Sequence, residues 1–79
     1  MPPAPRRVRW TDHALDKAAL LGIARADVER AVVERHGARR RNSRSVDWLL
    51  TSGRLVIAYD HPDHDDYATA RVITLWRRR

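Results

Sequence analysis

The stretch Trp10-Thr11-Asp12-His13-Ala14-Leu15-Asp16-Lys17, followed closely by Gly22-Ile23-Ala24-Arg25-Ala26-Asp27-Val28, decides the fold of this chain. Thr11 is a favourable N-cap residue, and Asp12 suits the positive end of a helix dipole. A first helix is therefore predicted from Asp12 to about residue 21, where Gly22 favours the left-handed conformation that ends helices. A second helix is predicted over residues 25–36, with Gly37 as its end.

Strand patterns lie on both sides of these helices. A short first strand is predicted over residues 7–10, and three more strands are predicted over residues 46–51, 54–59 and 70–77. Ser52-Gly53 is a tight-turn signal between the second and third strands. The element order β-α-α-β-β-β predicts an α+β fold, in which the two N-terminal helices pack on one face of a small antiparallel sheet. The other face is expected to be open and flanked by arginines.

Length and composition narrow the possibilities. The 79 residues are enough for one domain, predicted over residues 7–79 after a disordered, proline-rich tail at residues 1–6. The chain has no cysteine, which excludes a disulfide framework and a thiolate metal site and is typical of a cytoplasmic protein. The longest apolar runs have the length of strands, so no membrane segment and no apolar signal peptide are predicted.

The charge balance points to a polyanionic partner. The formal net charge is +6, and 15 of the 16 basic residues are arginine. Neutralising phosphates releases counterions, and arginine binds phosphate with two parallel hydrogen bonds. A GC-rich genome also favours arginine codons. Composition alone therefore does not decide whether the arginines bind phosphate or reflect codon usage.

His13 is the leading candidate for chemistry. It lies in the first turn of the first helix, and Lys17 follows one turn later on the same side. A neutral imidazole can take a proton from a ribose 2′-hydroxyl, and a lysine can stabilise the charge that develops on the phosphate. In the alternative interpretation, His13 only helps to cap the helix and Lys17 is solvated.

Two further groups of basic residues are candidates for RNA contacts. The loop after the second helix carries Arg39, Arg40, Arg41 and Arg44, which are either a phosphate-binding loop or a solvated run of charge. Arg71 and Arg77 begin and end the last strand, where they are candidates for stabilising charge in catalysis. Trp76 is a candidate for stacking on a base, and Arg54 starts the neighbouring strand. A core tryptophan followed by a frayed basic tail is the alternative.

The segment Asp60-His61-Pro62-Asp63-His64-Asp65-Asp66-Tyr67 is rich in potential metal ligands. Its spacing matches no established ligand pattern, so we expect no metal and no cofactor, and interpret the segment as a solvated acidic loop. Such a loop can also mimic phosphate and shield the basic face, or dock a basic partner.

The chain resembles the RelE/ParE toxin superfamily over about residues 8–77. The resemblance rests on the helix-borne His13, on Gly22-Ile23 with Asp27-Val28, and on the apolar strand Leu55-Val56-Ile57-Ala58-Tyr59. It is greatest to an uncharacterised branch that carries the histidine. The resemblance implies helices packed on an antiparallel sheet and, by position, carries over only His13. The chain lacks the terminal Tyr or His of the ribosome-dependent toxins and ends in three arginines.

The resemblance implies the toxin of a bacterial toxin–antitoxin system, acting as a metal-free endoribonuclease on RNA, possibly on the ribosome. Its partner would be a cognate antitoxin, with an acidic segment over the basic face. His13 would be the general base or acid, and Lys17, Arg71 and Arg77 would stabilise the transition state. The alternatives are a non-catalytic basic module that binds nucleic acid, the ribosome or gyrase, and a protein-interaction partner in a phage or defence complex.

Overall fold

Two helices and a five-stranded mixed sheet form an α+β fold in the computed structural model, which describes residues 5–41, 48–62 and 68–78. The strand order in the sheet is β1-β5-β4-β3-β2. The elements are, along the chain, β1 (Arg7–Trp10), α1 (Asp12–Leu21), α2 (Arg25–Glu34), a 3-10 turn (His36–Ala38), β2 (Arg40–Arg41), β3 (Trp48–Ser52), β4 (Leu55–Asp60) and β5 (Thr69–Arg77).

The expectation of a purely antiparallel sheet is wrong at β1. Strands β2 to β5 form antiparallel pairs, but β1 runs parallel to β5, with Arg7 opposite Thr69 and Trp10 opposite Val72. A parallel pair needs a long connection, and here both helices and the other three strands lie between the two partners. The pairing also brings the start of α1 beside β5.

The predicted start and end of α1 are confirmed. Thr11 is the N-cap: its hydroxyl oxygen accepts a hydrogen bond from the Ala14 N–H at 3.1 Å and donates one to the Ile73 carbonyl at 3.1 Å. One side chain thus caps the helix and attaches it to β5. Gly22 ends the helix with φ +67°, a conformation that side chains with a Cβ rarely adopt.

The second helix ends earlier than expected. It stops at Glu34 rather than His36, and Gly37 lies inside the 3-10 turn instead of ending the helix. Arg35 has already left the helical region, with φ −117° and ψ 17°. Tightening the last turn lets the chain change direction before β2, which begins only two residues after the turn. The N-cap position is occupied by Ala24, which makes no capping bond, as the sequence indicates.

The basic segment after α2 is not simply an exposed loop. Arg40 and Arg41 form β2 and pair with Leu49 and Trp48, while the Arg39 side chain packs over the Trp48 ring. The β2 backbone pairs with the edge of β3, and the Arg39 guanidinium stacks on an aromatic ring, so these residues are not only solvated. Residues 42–47, which include Arg44 and the expected start of the following strand, lie outside the described residues.

The remaining boundaries shift by one or two residues. The turn between β3 and β4 is formed by Gly53 and Arg54, with Gly53 at φ +61°, so Ser52 is still strand and β4 runs to Asp60. At the N-terminus, Pro5 is buried and the Arg6 N–H bonds the Ala68 carbonyl at 2.7 Å, so the last two residues of the expected tail are part of the folded domain. Residues 1–4 lie outside the described part.

The core lies between the helices and one side of the sheet, which we call the helix side. Its residues come from α1, α2, β3, β4 and β5, and small alanines on the helices allow close packing against larger side chains on the strands. The buried members are Ala14, Ala18, Val28, Ala31, Val32, Leu50, Ile57, Tyr59, Ala70, Val72 and Leu75.

A bulge in β5 changes which of its residues face the core. Ala58 pairs with Thr74 but Tyr59 pairs with Val72, so Ile73 is the extra residue on this strand. Val72 and Leu75 are consequently both buried, whereas uninterrupted alternation predicts that they lie on opposite sides. Beyond the bulge, Thr74 and Trp76 face away from the helices.

Candidate nucleic-acid interface

The side of the sheet opposite the helices, which we call the open face, has arginines on its first strand. Val8 and Trp10 of β1 pack against the core, so the alternation of a strand places Arg7 and Arg9 on the open face. Both arginines are exposed. Neither residue was a candidate from the sequence, although the alternation of Arg7-Val8-Arg9-Trp10 already predicts that both arginines lie on the side of the strand away from the core.

Arg9 begins a row of charges across the sheet. It lies opposite Arg71 of β5, which in turn lies opposite Asp60 of β4. Arg71 donates two hydrogen bonds to Asp60, from Nε at 3.1 Å and from Nη2 at 2.8 Å. Arg71 was predicted to stabilise charge in catalysis, and in the structure this carboxylate already engages its guanidinium.

The centre of the open face is mostly apolar, with a threonine at one end of each row of side chains. Two rows cross it: Thr74, Ala58 and Leu49 are paired in the first, and Trp76, Val56 and Thr51 in the second. Val56 and Ala58 on the central strand are small enough for their larger neighbours to bury them. Trp76 remains 38% exposed, so its ring is accessible on the face where a base-stacking residue was predicted.

His13 reaches the rim of the open face. Its Nε2 lies 3.1 Å from the Thr74 hydroxyl, at the part of β5 that extends past the end of β1. The imidazole and the hydroxyl each can donate or accept in this bond, depending on the tautomer. The structure thus brings two predicted catalytic residues, His13 and Arg71, to the open face, on which Trp76 also lies.

Of the other two predicted catalytic residues, Arg77 lies on the opposite side of the sheet and Lys17 follows His13 on α1. Arg77 pairs with Leu55, which packs against the core, so the register assigns Arg77 to the helix side. Lys17 is half-buried on α1, one helical turn after His13. The four residues predicted to act in catalysis therefore do not converge on one point.

The predicted RNA-binding arginines are divided between the two sides. Arg40 is exposed and opposite Leu49, which places it on the open face. Arg39 and Arg41 lie over the ring of Trp48, at 4.4 and 5.3 Å from its centroid, and Trp48 packs against the core. Arg54 is in the β3–β4 turn, where its carbonyl accepts the Arg78 N–H at 2.7 Å.

Tyr59 is another residue that sequence reasoning did not identify as a functional candidate. Its side chain is fully buried on the helix side, and its hydroxyl has no hydrogen-bond partner in the described part of the chain. Burial raises the pKa of the phenol above its ordinary value of 10.0, and the nearby charge of Arg39 lowers it in part. The His61 ring meets the Tyr59 ring edge-on, with the centroids 6.3 Å apart.

The acidic segment is structured where it leaves β4. Asp60 binds Arg71, and the ring of His61 donates from Nδ1 to the Thr69 carbonyl at 2.9 Å. Residues 63–67, which hold its other acids, lie outside the described residues. Within residues 5–41, 48–62 and 68–78 there is no cluster of three or more side chains suited to a metal ion.

Among the residues described, no helix combines the length and apolar character needed to cross a bilayer.

Comparisons with known proteins identify no family for this chain. It matches no protein-family model, no curated protein and no solved structure.

Proposed function

We propose that this domain binds single-stranded RNA on its open face. The observation that carries the proposal is the arrangement on that face: exposed Arg7, Arg9 and Arg40 surround an apolar centre beside the accessible ring of Trp76. Arginines around a sheet attract the phosphate backbone, and an exposed tryptophan stacks on an unpaired base. A duplex would keep its bases away from Trp76, which is why a single strand fits better.

Binding to a fluorescently labelled oligoribonucleotide tests the proposal. Arg9→Gln and Arg40→Gln should weaken binding and reduce its salt dependence, because each removes one contact to phosphate. Arg25→Gln on α2 is the matched control, since it removes the same charge from an exposed position on the helical layer. Equal losses in all three variants would show that binding responds only to net charge and would reject the open face as the site.

The His13–Thr74 contact favours a second candidate function, metal-free cleavage of the bound RNA. In this reaction His13 Nε2 takes the proton of a ribose 2′-hydroxyl, and the 2′-oxygen forms a bond to the adjacent phosphorus. The bond from phosphorus to the 5′-oxygen breaks, that oxygen takes a proton from water, and the protonated His13 returns its proton to the solvent. The products are a 2′,3′-cyclic phosphate and a 5′-hydroxyl. Arg9, an exposed cation that lies opposite Arg71 on the same face, would stabilise the transition state, since Asp60 engages Arg71.

Cleavage of labelled RNA in excess EDTA separates the two functions. If the domain is an endoribonuclease, wild-type protein leaves cyclic phosphate ends and His13→Ala does not, although it still binds the RNA. If neither protein cleaves free RNA or ribosome-bound messenger, the domain is a binding module. Thr74→Val, which removes the hydroxyl beside His13 and keeps the branched shape, should change the rate of cleavage without abolishing binding.

The toxin interpretation belongs to the same proposal. A RelE/ParE-like toxin would work in the cytoplasm on messenger RNA, either free or on the ribosome, and would be held inactive by an antitoxin. An acidic antitoxin segment suits the open face for the same reason that RNA does, because the face carries unneutralised arginines. Induced expression of the wild-type chain should arrest growth of a bacterial host, and Arg9→Gln should relieve the arrest.

A further inference from the structure

A second arrangement of donors lies on the helix side of the sheet, away from the open face. The hydroxyl of Tyr59 and the Nε–H of Arg39 are both buried, and neither has a hydrogen-bond partner in the described part of the chain. Buried donors are almost always satisfied, so two of them on neighbouring side chains are unusual. Tyr59 lies opposite Trp48 in the β4–β3 pair, and the Arg39 guanidinium packs over the same Trp48 ring at 4.4 Å from its centroid, which places the two donors on the same part of the sheet.

This region also has an excess of positive charge. The Nη1 of Arg39 donates to the neutral carbonyl of His36 at 2.8 Å, and in the described residues no carboxylate pairs with this guanidinium. Arg41 brings a second guanidinium to the same Trp48 ring. A partly buried cation without a counter-charge is costly, and an anion is the ligand that removes the cost.

We propose that Tyr59 and Arg39 form a binding site for a phosphate group. A phosphate oxygen would accept from the Tyr59 hydroxyl and from Arg39, with Trp48 as the apolar wall and Arg41 as a second cation. Phosphate fits better than water because both unsatisfied groups are donors and the surrounding charge is positive. Arg39 is half-exposed and held by one bond to a neutral carbonyl, so its side chain can move outward to admit the ligand.

The site is independent of the proposed RNA interface. Tyr59 and Trp48 face the helices, whereas Arg9, Arg40 and Trp76 lie on the opposite side of the sheet. Loss of one site should therefore leave the other intact.

A free phosphate ion and the phosphate group of a nucleotide share the chemistry that the Tyr59–Arg39 site recognises.

Thermal unfolding at constant ionic strength tests the proposal, with sodium phosphate replacing sodium chloride. A ligand of the native state raises Tm with its concentration. We expect a rise for wild type and for Arg54→Gln, an exposed control with the same loss of charge. Tyr59→Phe and Arg39→Gln should need about tenfold more phosphate for the same rise, because each loses a hydrogen bond to a charged ligand.

A spectroscopic measurement reports on the site directly. The Arg39 Nε–H resonance should shift when inorganic phosphate is added, and Trp76→Ala should not affect this shift. A larger response to adenosine monophosphate than to inorganic phosphate would identify a nucleotide as the source of the phosphate group, and an equal response would identify the free ion. Two results would overturn the proposal. One is an equal rise in Tm for wild type and all three variants of the thermal experiment, and the other is a wild-type protein in which phosphate neither raises Tm nor shifts the Arg39 resonance.

Discussion

Arg71 and Asp60 form a two-pronged ion pair across β5 and β4, with hydrogen bonds of 3.1 and 2.8 Å. The pair offsets the charge of an arginine on β5 that faces the proposed RNA site. Its side chains are 42% and 18% exposed, so solvent screens the attraction and the pair adds little to stability. Its larger effect is on the electrostatic potential of the open face.

Asp60→Asn should therefore strengthen RNA binding. Removing the Asp60 carboxylate takes one negative charge from the open face, so affinity for RNA should rise most at low salt and the dependence of log affinity on log salt should steepen. The free energy of unfolding should fall by less than about 1 kcal/mol. Fluorescence anisotropy at several salt concentrations measures the first effect, and urea denaturation measures the second.

Glu34→Gln on α2 is the control for Asp60→Asn. It makes the same change in net charge at an exposed position on the helical layer. An increase in RNA affinity as large for Glu34→Gln as for Asp60→Asn would mean that the ion pair does not restrain binding.

Local signals made the helices predictable. Thr11 and Gly22 are found at the two ends of α1 as expected, because capping depends on residues close in the chain. The sheet was less predictable because its decisive contacts join distant residues. Nothing near Trp10 indicates that β1 runs parallel to β5, and nothing near Ile73 indicates a bulge.

The same limit applied to the candidate site. His13 was identified from its helix position, but its partner Thr74 lies 61 residues away and becomes a neighbour only through the β1–β5 pairing. Arg71 was identified as a basic residue on a strand, and its neutralisation by Asp60 depends on the register of β4 against β5. Sequence spacing gave the types of residue at the site but not their partners.

Gly22 and Gly37 should respond in opposite directions to substitution by alanine. Gly22→Ala should lower the free energy of unfolding by about 1 kcal/mol, because φ is +67° there, although a Cβ would meet no atom within 4 Å. Gly37 has neither a positive φ nor a neighbour within 4 Å, so Gly37→Ala should raise stability by about 0.4–1 kcal/mol. Urea unfolding of both variants measures the difference, and equal effects would contradict the assignment of Gly22 as the C-cap.

Trp76→Ala should weaken binding of single-stranded RNA about tenfold, because one base loses its stacking partner. Stability should change little, since the side chain is 38% exposed. Leu20→Ala is the control, because Leu20 is the other large apolar residue that is exposed in the described chain, at 80% on α1. RNA affinity that falls equally in both variants would indicate a general effect of surface hydrophobicity instead of stacking on the open face.

Tyr59 should make the domain less stable at alkaline pH. Burial raises the pKa of its phenol above 10.0, so the unfolded chain loses this proton at a lower pH than the native protein does. The stabilisation is complete below pH 10 and is lost as the pH rises through the native pKa. The free energy of unfolding of wild type should therefore fall above about pH 10 more steeply than that of Tyr59→Phe.

The same variant gives an independent result at neutral pH. Phenylalanine keeps the ring and removes a buried hydroxyl that lacks a partner, so Tyr59→Phe should be at least as stable as wild type at pH 7 when phosphate is absent. Urea unfolding across the pH range measures both effects on the two proteins. A parallel pH dependence would show that Tyr59 ionises equally in the native and unfolded states. A loss of stability at pH 7 would show that the hydroxyl already has a partner in the folded protein.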